Sequence, residues 1–374
     1  MTLPHPVEVI LGPPGIWRFV RMIVLAFALT AIGRLIPVRT GARGIRSPGF
    51  RRRRNAYAVW AAGALAVVLV AGGSVYAVRT LQGHPSSEIL RQAAVSGPQP
   101  LSAGRPLVGV FEPGATASYA GITEFSRATG AEPGIALYYS GWNDPFQARF
   151  AASARARHTI PFIQMLPYGV PLAAIAAGRS DGYLRSFAAA VRAFGAPVVI
   201  GFGPEMNGNW YGWGAGRSTP ASFVAAWRHV VATFRAAGAA NVTWLWTINA
   251  VNAAHSPLRQ WWPGGSYVTW VGIDGYYYNP ADTFRSVFGV TISQLRAFTA
   301  KPVLIAETAA GPSAAQPAQI AGLFRGVQRN HLVGLIWFDQ AQHDGHFHQD
   351  WRLEDNPAAM KAFRAALATL TSAG

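Results

Sequence analysis

Eight short apolar runs between residues 105 and 374 limit the possible folds of this chain more than any other feature. They are Pro106–Phe111, Gly134–Tyr139, Ile160–Met165, Pro197–Phe202, Val242–Thr247, Val268–Ile273, Pro302–Ala306 and Val333–Phe338. Each run is continuously apolar instead of alternating, the pattern of a strand covered on both faces in a parallel sheet. Most are followed by Gly, Pro, Asn or aromatic residues, and then by alanine-rich helical stretches such as FAAAVRAF, FVAAWRHVVATFRAAG and PAQIAGLFRGVQ. Eight strand–helix units predict an α/β chain with a (β/α)8 barrel, the TIM barrel, over residues 105–374. A doubly wound open sheet is the rival arrangement, but no GxGxxG phosphate fingerprint follows the first run.

Composition excludes several classes. The chain is 51% apolar and only 13% charged, too apolar for a disordered protein. It has no cysteine, which excludes a disulfide framework, a thiolate zinc site and a thiol nucleophile. The formal charge of +16 suggests a nucleic-acid partner until it is located along the chain. Residues 1–84 hold 11 arginines and one acidic residue, whereas the rest balances 21 basic against 15 acidic residues. The folded part is therefore only mildly basic, and no nucleic-acid partner is expected.

The excess arginines mark a membrane address. Arg51-Arg52-Arg53-Arg54 abut Asn55–Val78, a stretch without a charge whose ends carry Tyr57, Trp60 and Tyr76. A helix of about 20 apolar residues crosses the hydrocarbon layer, and arginines flank the cytoplasmic end. The expected organisation is a basic cytoplasmic segment at 1–54, a transmembrane signal-anchor helix at 55–78, a linker at 79–104 and the barrel at 105–374. This predicts a single-pass protein of the bacterial cell membrane with its barrel outside the cytoplasm. Cleavage near Ala77 would instead release it as a secreted protein.

In a barrel of this kind the chemistry lies where strands end. The residues after the runs include Glu112, Trp142, Glu205, Asn207, Asn249, Asn252, Asp274, Tyr276, Glu307, Trp337 and Asp339. Carboxylates and amides of this density suit sugar hydroxyls, and flat rings suit sugar C–H faces. Glu205 follows the fourth run and Glu307 closes the seventh, so they face each other across the barrel mouth. Two carboxyl groups so placed are what a retaining glycosidase needs, one as acid/base and one as nucleophile. Trp142 and Trp213 lie in Gly- and Pro-rich loops and are candidate walls of the sugar cleft. Glu112 and Asn207 are candidate substrate contacts, and Asn249 and Asn252 either contact sugar or cap their own loop. Asp274 is read as a structural rim contact. Three histidines within 343–348 either line the cleft or bind metal.

The stretch Glu205-Met206-Asn207-Gly208-x-Trp210-x-x-Trp213-Gly214 resembles the acid/base motif of glycoside hydrolase family 26. VGIDGYYY at 271–278, KPVLIAET at 301–308 and WFDQ with DWRL between 337 and 353 are similar to further motifs of that family, in the same order. The resemblance covers about residues 105–370 and implies a retaining β-glycanase, chiefly of the β-mannanase kind, on a (β/α)8 barrel. It implies Glu205 as acid/base, Glu307 as nucleophile, Tyr276 as the hydroxyl beside the nucleophile, and Trp210 and Trp337 as sugar platforms. The chain departs from the family at Pro204 and Gly201, where members carry His and Arg, and at Thr308-Ala309, where Phe-Gly is common. The expected activity is that of a membrane-anchored endo-β-glycanase on a polysaccharide of the mannan type, with no cofactor and no metal. The alternatives are a non-catalytic glycan-binding barrel and a transglycosylase working beside polysaccharide export machinery.

Overall fold

The computed structural model describes residues 105–342 and 349–371. The expected anchor helix, its basic leader, the linker and the 343–348 histidines lie outside the described residues. Among the described residues no helix is long and apolar enough to cross a membrane.

All eight expected strands form. They are β1 (Leu107–Phe111), β2 (Ile135–Gly141), β3 (Ile160–Leu166), β4 (Val198–Phe202), β5 (Val242–Asn249), β6 (Trp270–Asp274), β7 (Val303–Thr308) and β8 (Gly334–Phe338). They pair in parallel in sequence order, and β8 pairs with β1 to close the barrel. The helices are α1 (Ala120–Thr129), α2 (Ala148–Arg155), α3 (Leu172–Ala176), α4 (Asp181–Phe194), α5 (Pro220–Ala236), α6 (Val290–Arg296), α7 (Gln316–Arg329) and α8 (Pro357–Thr371). A two-stranded ribbon, β9 (Ala341–Gln342) with β10 (Gln349–Asp350), rises beyond β8.

Local chemistry explains the boundaries. Thr219 caps α5 by accepting the Ser222 amide at 3.1 Å, and Pro220 opens the helix where no donor is needed. Gly130 and Gly195 end α1 and α4 in the left-handed conformation. Every residue of β4, β6, β7 and β8 is buried, as two-sided packing between barrel interior and helices requires.

Closure depends on a close backbone approach at the seam. A Cβ on Gly334 would lie 1.9 Å from the Leu107 carbonyl oxygen, so β8 can reach β1 only with glycine there. Gly334→Ala is expected to lose about 2–4 kcal/mol of stability in urea unfolding. Gly182→Ala, on the first turn of α4 with open space at its Cβ, is expected to be neutral or to gain about 0.5 kcal/mol.

Candidate active site

The two glutamates are positioned by different backbone devices. The chain leaves β4 through Gly203 and Glu205, both at positive φ (53° and 55°). That conformation is uncommon for a residue with a side chain and persists only where surrounding bonds enforce it. The Glu205 amide donates to the Thr247 carbonyl of β5 at 2.9 Å, and the Glu205 carbonyl accepts from the Gly208 amide at 2.9 Å. Glu307 is aimed by a bulge. Ile273 pairs with Ile305 but Asp274 pairs with Glu307, so Ala306 is the extra residue on β7.

Each carboxylate accepts two hydrogen bonds from neutral donors. Glu205 receives the Trp210 indole N–H at 2.8 Å and the Asn249 side-chain amide at 2.6 Å. Glu307, 8% exposed, receives the Tyr276 hydroxyl at 2.9 Å and the Tyr139 hydroxyl. Asn207 clamps the end of β5. Its amide donates to the Asn249 carbonyl at 2.8 Å and its oxygen accepts the Asn249 amide at 2.9 Å, which holds Asn249 against Glu205. Tyr211 stacks on Trp213 at 4.4 Å, and Tyr168 packs edge-on against Trp213 at 5.0 Å. A cavity of about 430 Å³ adjoins this side of the site, lined by Asn207, Asn249, Asn252, His255, Arg259 and Phe298 among others.

The structure thus gathers Glu205, Glu307, Trp210, Asn207, Asn249 and Tyr276, and adds Tyr139 and Tyr211. It does not bring the remaining candidates to the two glutamates. Trp337 is fully buried, donates to the Trp351 carbonyl at 2.9 Å and meets Phe363 of α8 edge-on. A ring so enclosed has no face for a sugar, which corrects the platform expectation. Trp351 is the indole that lies 5.1 Å from the Tyr276 ring. Trp213, 2% exposed, donates to the Pro204 carbonyl at 2.7 Å and supports the Glu205 turn from behind. Trp142 packs on Tyr183 and Phe202, on the flank facing the helices. Glu112 pairs with Asp339 at the β1–β8 seam, with Glu354 beside them. Burial pushes Glu112 up to about 7 and Asp339 up to about 10, so this carboxyl pair satisfies itself by sharing a proton. Sequence reasoning missed Tyr139 because the second run was ended there. The strand continues to Gly141, and Tyr138 and Tyr139 must face opposite sides of it.

Burial raises both catalytic-position carboxyls. Desolvation pushes Glu205 up, partly offset by Asn249 and Trp210. Desolvation and the charge of Glu205 push Glu307 up to about 8, partly offset by Tyr139 and Tyr276. Among the described residues no Arg, Lys or His contributes to either group. The pair therefore holds one proton between them near neutrality. Because the folded protein binds that proton more tightly than the unfolded chain, stability falls as pH rises through this window. Glu307→Gln removes the loss, so it is expected to gain on wild type by about 2 kcal/mol near pH 8 and by little near pH 5. Urea unfolding at both pH values measures this.

Comparison with known proteins agrees with the geometry. The model of glycosyl hydrolase family 26 matches residues 185–311, which include both glutamates. Endoglucanase H of Acetivibrio thermocellus is 27% identical over 271 residues, 68% of this chain and 29% of that protein, so the chain spans less than a third of that relative. Among solved structures, a modular endo-β-1,4-mannanase of Cellulomonas fimi aligns at 16% identity with a TM-score of 0.56, covering 71% of this chain and 70% of that one. The catalytic domain of a Bacillus sp. JAMB-750 endo-β-1,4-mannanase aligns at 17% identity and 0.54, covering 72% and 87%. A β-mannanase of Bacteroides ovatus aligns at 14% identity and 0.55, covering 75% and 92%. At these identities the structures share the barrel fold. The matched family model, the closed eight-strand barrel and the glutamates at the ends of β4 and β7 agree in making this chain similar to glycosyl hydrolase family 26.

Proposed function

We propose that this protein is a membrane-anchored, retaining endo-β-glycanase acting outside the cytoplasm on a neutral β-linked polysaccharide. The observation that carries the reading is the pair Glu205 and Glu307, standing at the ends of β4 and β7 and each held by two neutral donors, a setting that keeps one proton between them. Double displacement needs that state: one carboxylic acid to protonate the leaving oxygen and one carboxylate to attack the anomeric carbon. With the proton on Glu205, the charge that raises Glu307 is gone, and the phenolic donors Tyr139 and Tyr276 favour its carboxylate form. Glu307 then attacks as the aglycone leaves with the proton of Glu205. Glu205, now ionised, deprotonates the water that releases the sugar with retained configuration.

Trp210 and Tyr211 offer rings at the cleft, and the amide-lined cavity beyond Asn249 has the polarity that further sugar units need. The lack of a basic side chain at the carboxylates among the described residues favours a neutral hexose polymer over a uronate. A mannan is the leading substrate and a β-glucan the second, the latter favoured by the endoglucanase relative. Anchoring rests on the sequence of residues 51–78, where four arginines precede a charge-free stretch.

Incubation of the full chain with β-mannan, β-glucan and polyuronate, followed by reducing-end counting, tests this reading. Wild type is expected to cleave a neutral polymer, and Glu205→Gln and Glu307→Gln each to lose about 1,000-fold or more in kcat. The first sugar released should carry the anomeric configuration of the substrate. Binding without cleavage by wild type would instead identify a glycan-binding barrel.

A further inference from the structure

The floor of the site holds a third carboxyl group that the two-glutamate mechanism does not use. Asp274 closes β6, beside Asn249 on one neighbouring strand and Glu307 on the other. It is completely buried. Glu205 and Glu307 each accept two hydrogen bonds, whereas neither oxygen of Asp274 has a partner among the described residues.

Its electrostatic surroundings are one-sided. Among the described residues the titratable groups facing it are Glu307 on β7 and Glu205 beyond β4, with the phenols of Tyr139 on β2, Tyr276 beyond β6 and Tyr211 around the same space. None is a cation. Nor can β4 supply one at Gly201, because a Cβ there would lie 2.0 Å from the Gln164 side-chain oxygen. The Gln164 amide is itself engaged by the Thr247 hydroxyl at 2.9 Å. Pro204, the other position where the resembled family carries a basic residue, places a ring against the same turn.

We propose that Asp274 is kept as the neutral carboxylic acid, which leaves the site with the single negative charge that Glu205 and Glu307 share. A buried carboxylate without donors and beside two other acids is disfavoured far more than a carboxylic acid in the same place. Burial and the two glutamates accordingly push its carboxyl well above the usual range. Were it ionised, its charge one strand from Glu307 would make that group take up the proton, and no carboxylate would remain to attack. The catalytic consequence rests on the proposed roles of the two glutamates. The protonation state of Asp274 does not.

Asp274→Asn replaces the neutral acid by a neutral isostere, and two readouts test it on the full chain. In urea unfolding between about pH 5 and about pH 8, wild type should weaken relative to the variant, its unfolding constant rising toward roughly tenfold per pH unit, because Asp274 ionises only on unfolding. A stability difference that is independent of pH, or that moves the other way, overturns the proposal. Asp274→Ala has a larger constant offset but the same expected pH slope, and it decides the matter if the Asn variant does not fold. This readout needs no substrate, so it stands even if no glycan is cleaved. On a cleaved glycan, Asp274→Asn should keep kcat/KM within about threefold of wild type with its pH optimum in place. An optimum displaced downward by about a unit or more would mean that a negative charge had been removed, and would overturn the proposal.

Discussion

The central constraint on this molecule is that Glu205, Glu307 and the fully buried Asp274 gather at one end of a barrel with no cation among the described residues to neutralise them. Ion pairing is the usual remedy for buried carboxylates, and it is not used here among the described residues. Two other remedies replace it. Neutral N–H and O–H donors from Trp210, Asn249, Tyr139 and Tyr276 support whichever glutamate is charged. Proton sharing then limits how many charges exist at once. A site built this way is poised between two protonation states, which is the condition that acid-assisted displacement at a sugar carbon requires.

That arrangement is costly, and the scaffold shows where the cost is met. The positive-φ turn at Glu205 is unfavourable alone, and it is held by a backbone bond to β5, the Trp213 indole on the Pro204 carbonyl and the stacked Tyr211. The bulge that aims Glu307 interrupts the β6–β7 ladder, and the fully buried strands around it supply the compensating packing. Several tryptophans that a sequence reader assigns to sugar are spent on this support. Their large apolar area is worth more behind the turn and under α8 than at the mouth.

The seam between β1 and β8 carries a second, independent acid pair, Glu112 with Asp339. It answers the same problem in the same way, by retaining a proton between two carboxyls. The departure at residues 201 and 204 from the motif that the sequence resembles belongs to this pattern. Gln164 occupies the volume where a longer side chain at 201 would begin, so the want of a basic group there and the uncharged floor at Asp274 are two sides of one packing choice.

What the sequence determined by itself was the architecture and the placing of two glutamates at strand ends on one mouth. Continuous apolar runs can only be strands covered on both faces, eight of them alternating with helices close into a barrel, and strand ends in a barrel converge on one mouth. These are consequences of periodicity and chain connectivity, which are local and therefore legible in order along the chain. The tertiary structure alone decided which neighbours serve the glutamates. Tyr139 and Asn249 reach them, Trp337 and Trp142 turn away, Glu112 finds Asp339, and Asp274 is left buried without a donor. Those outcomes depend on a bulge at Ala306, on the handedness of one turn at Glu205 and on which face of each strand points inward. A one-residue change in register moves every later side chain to the other face, and such small geometric facts arise only from contacts between segments far apart in sequence.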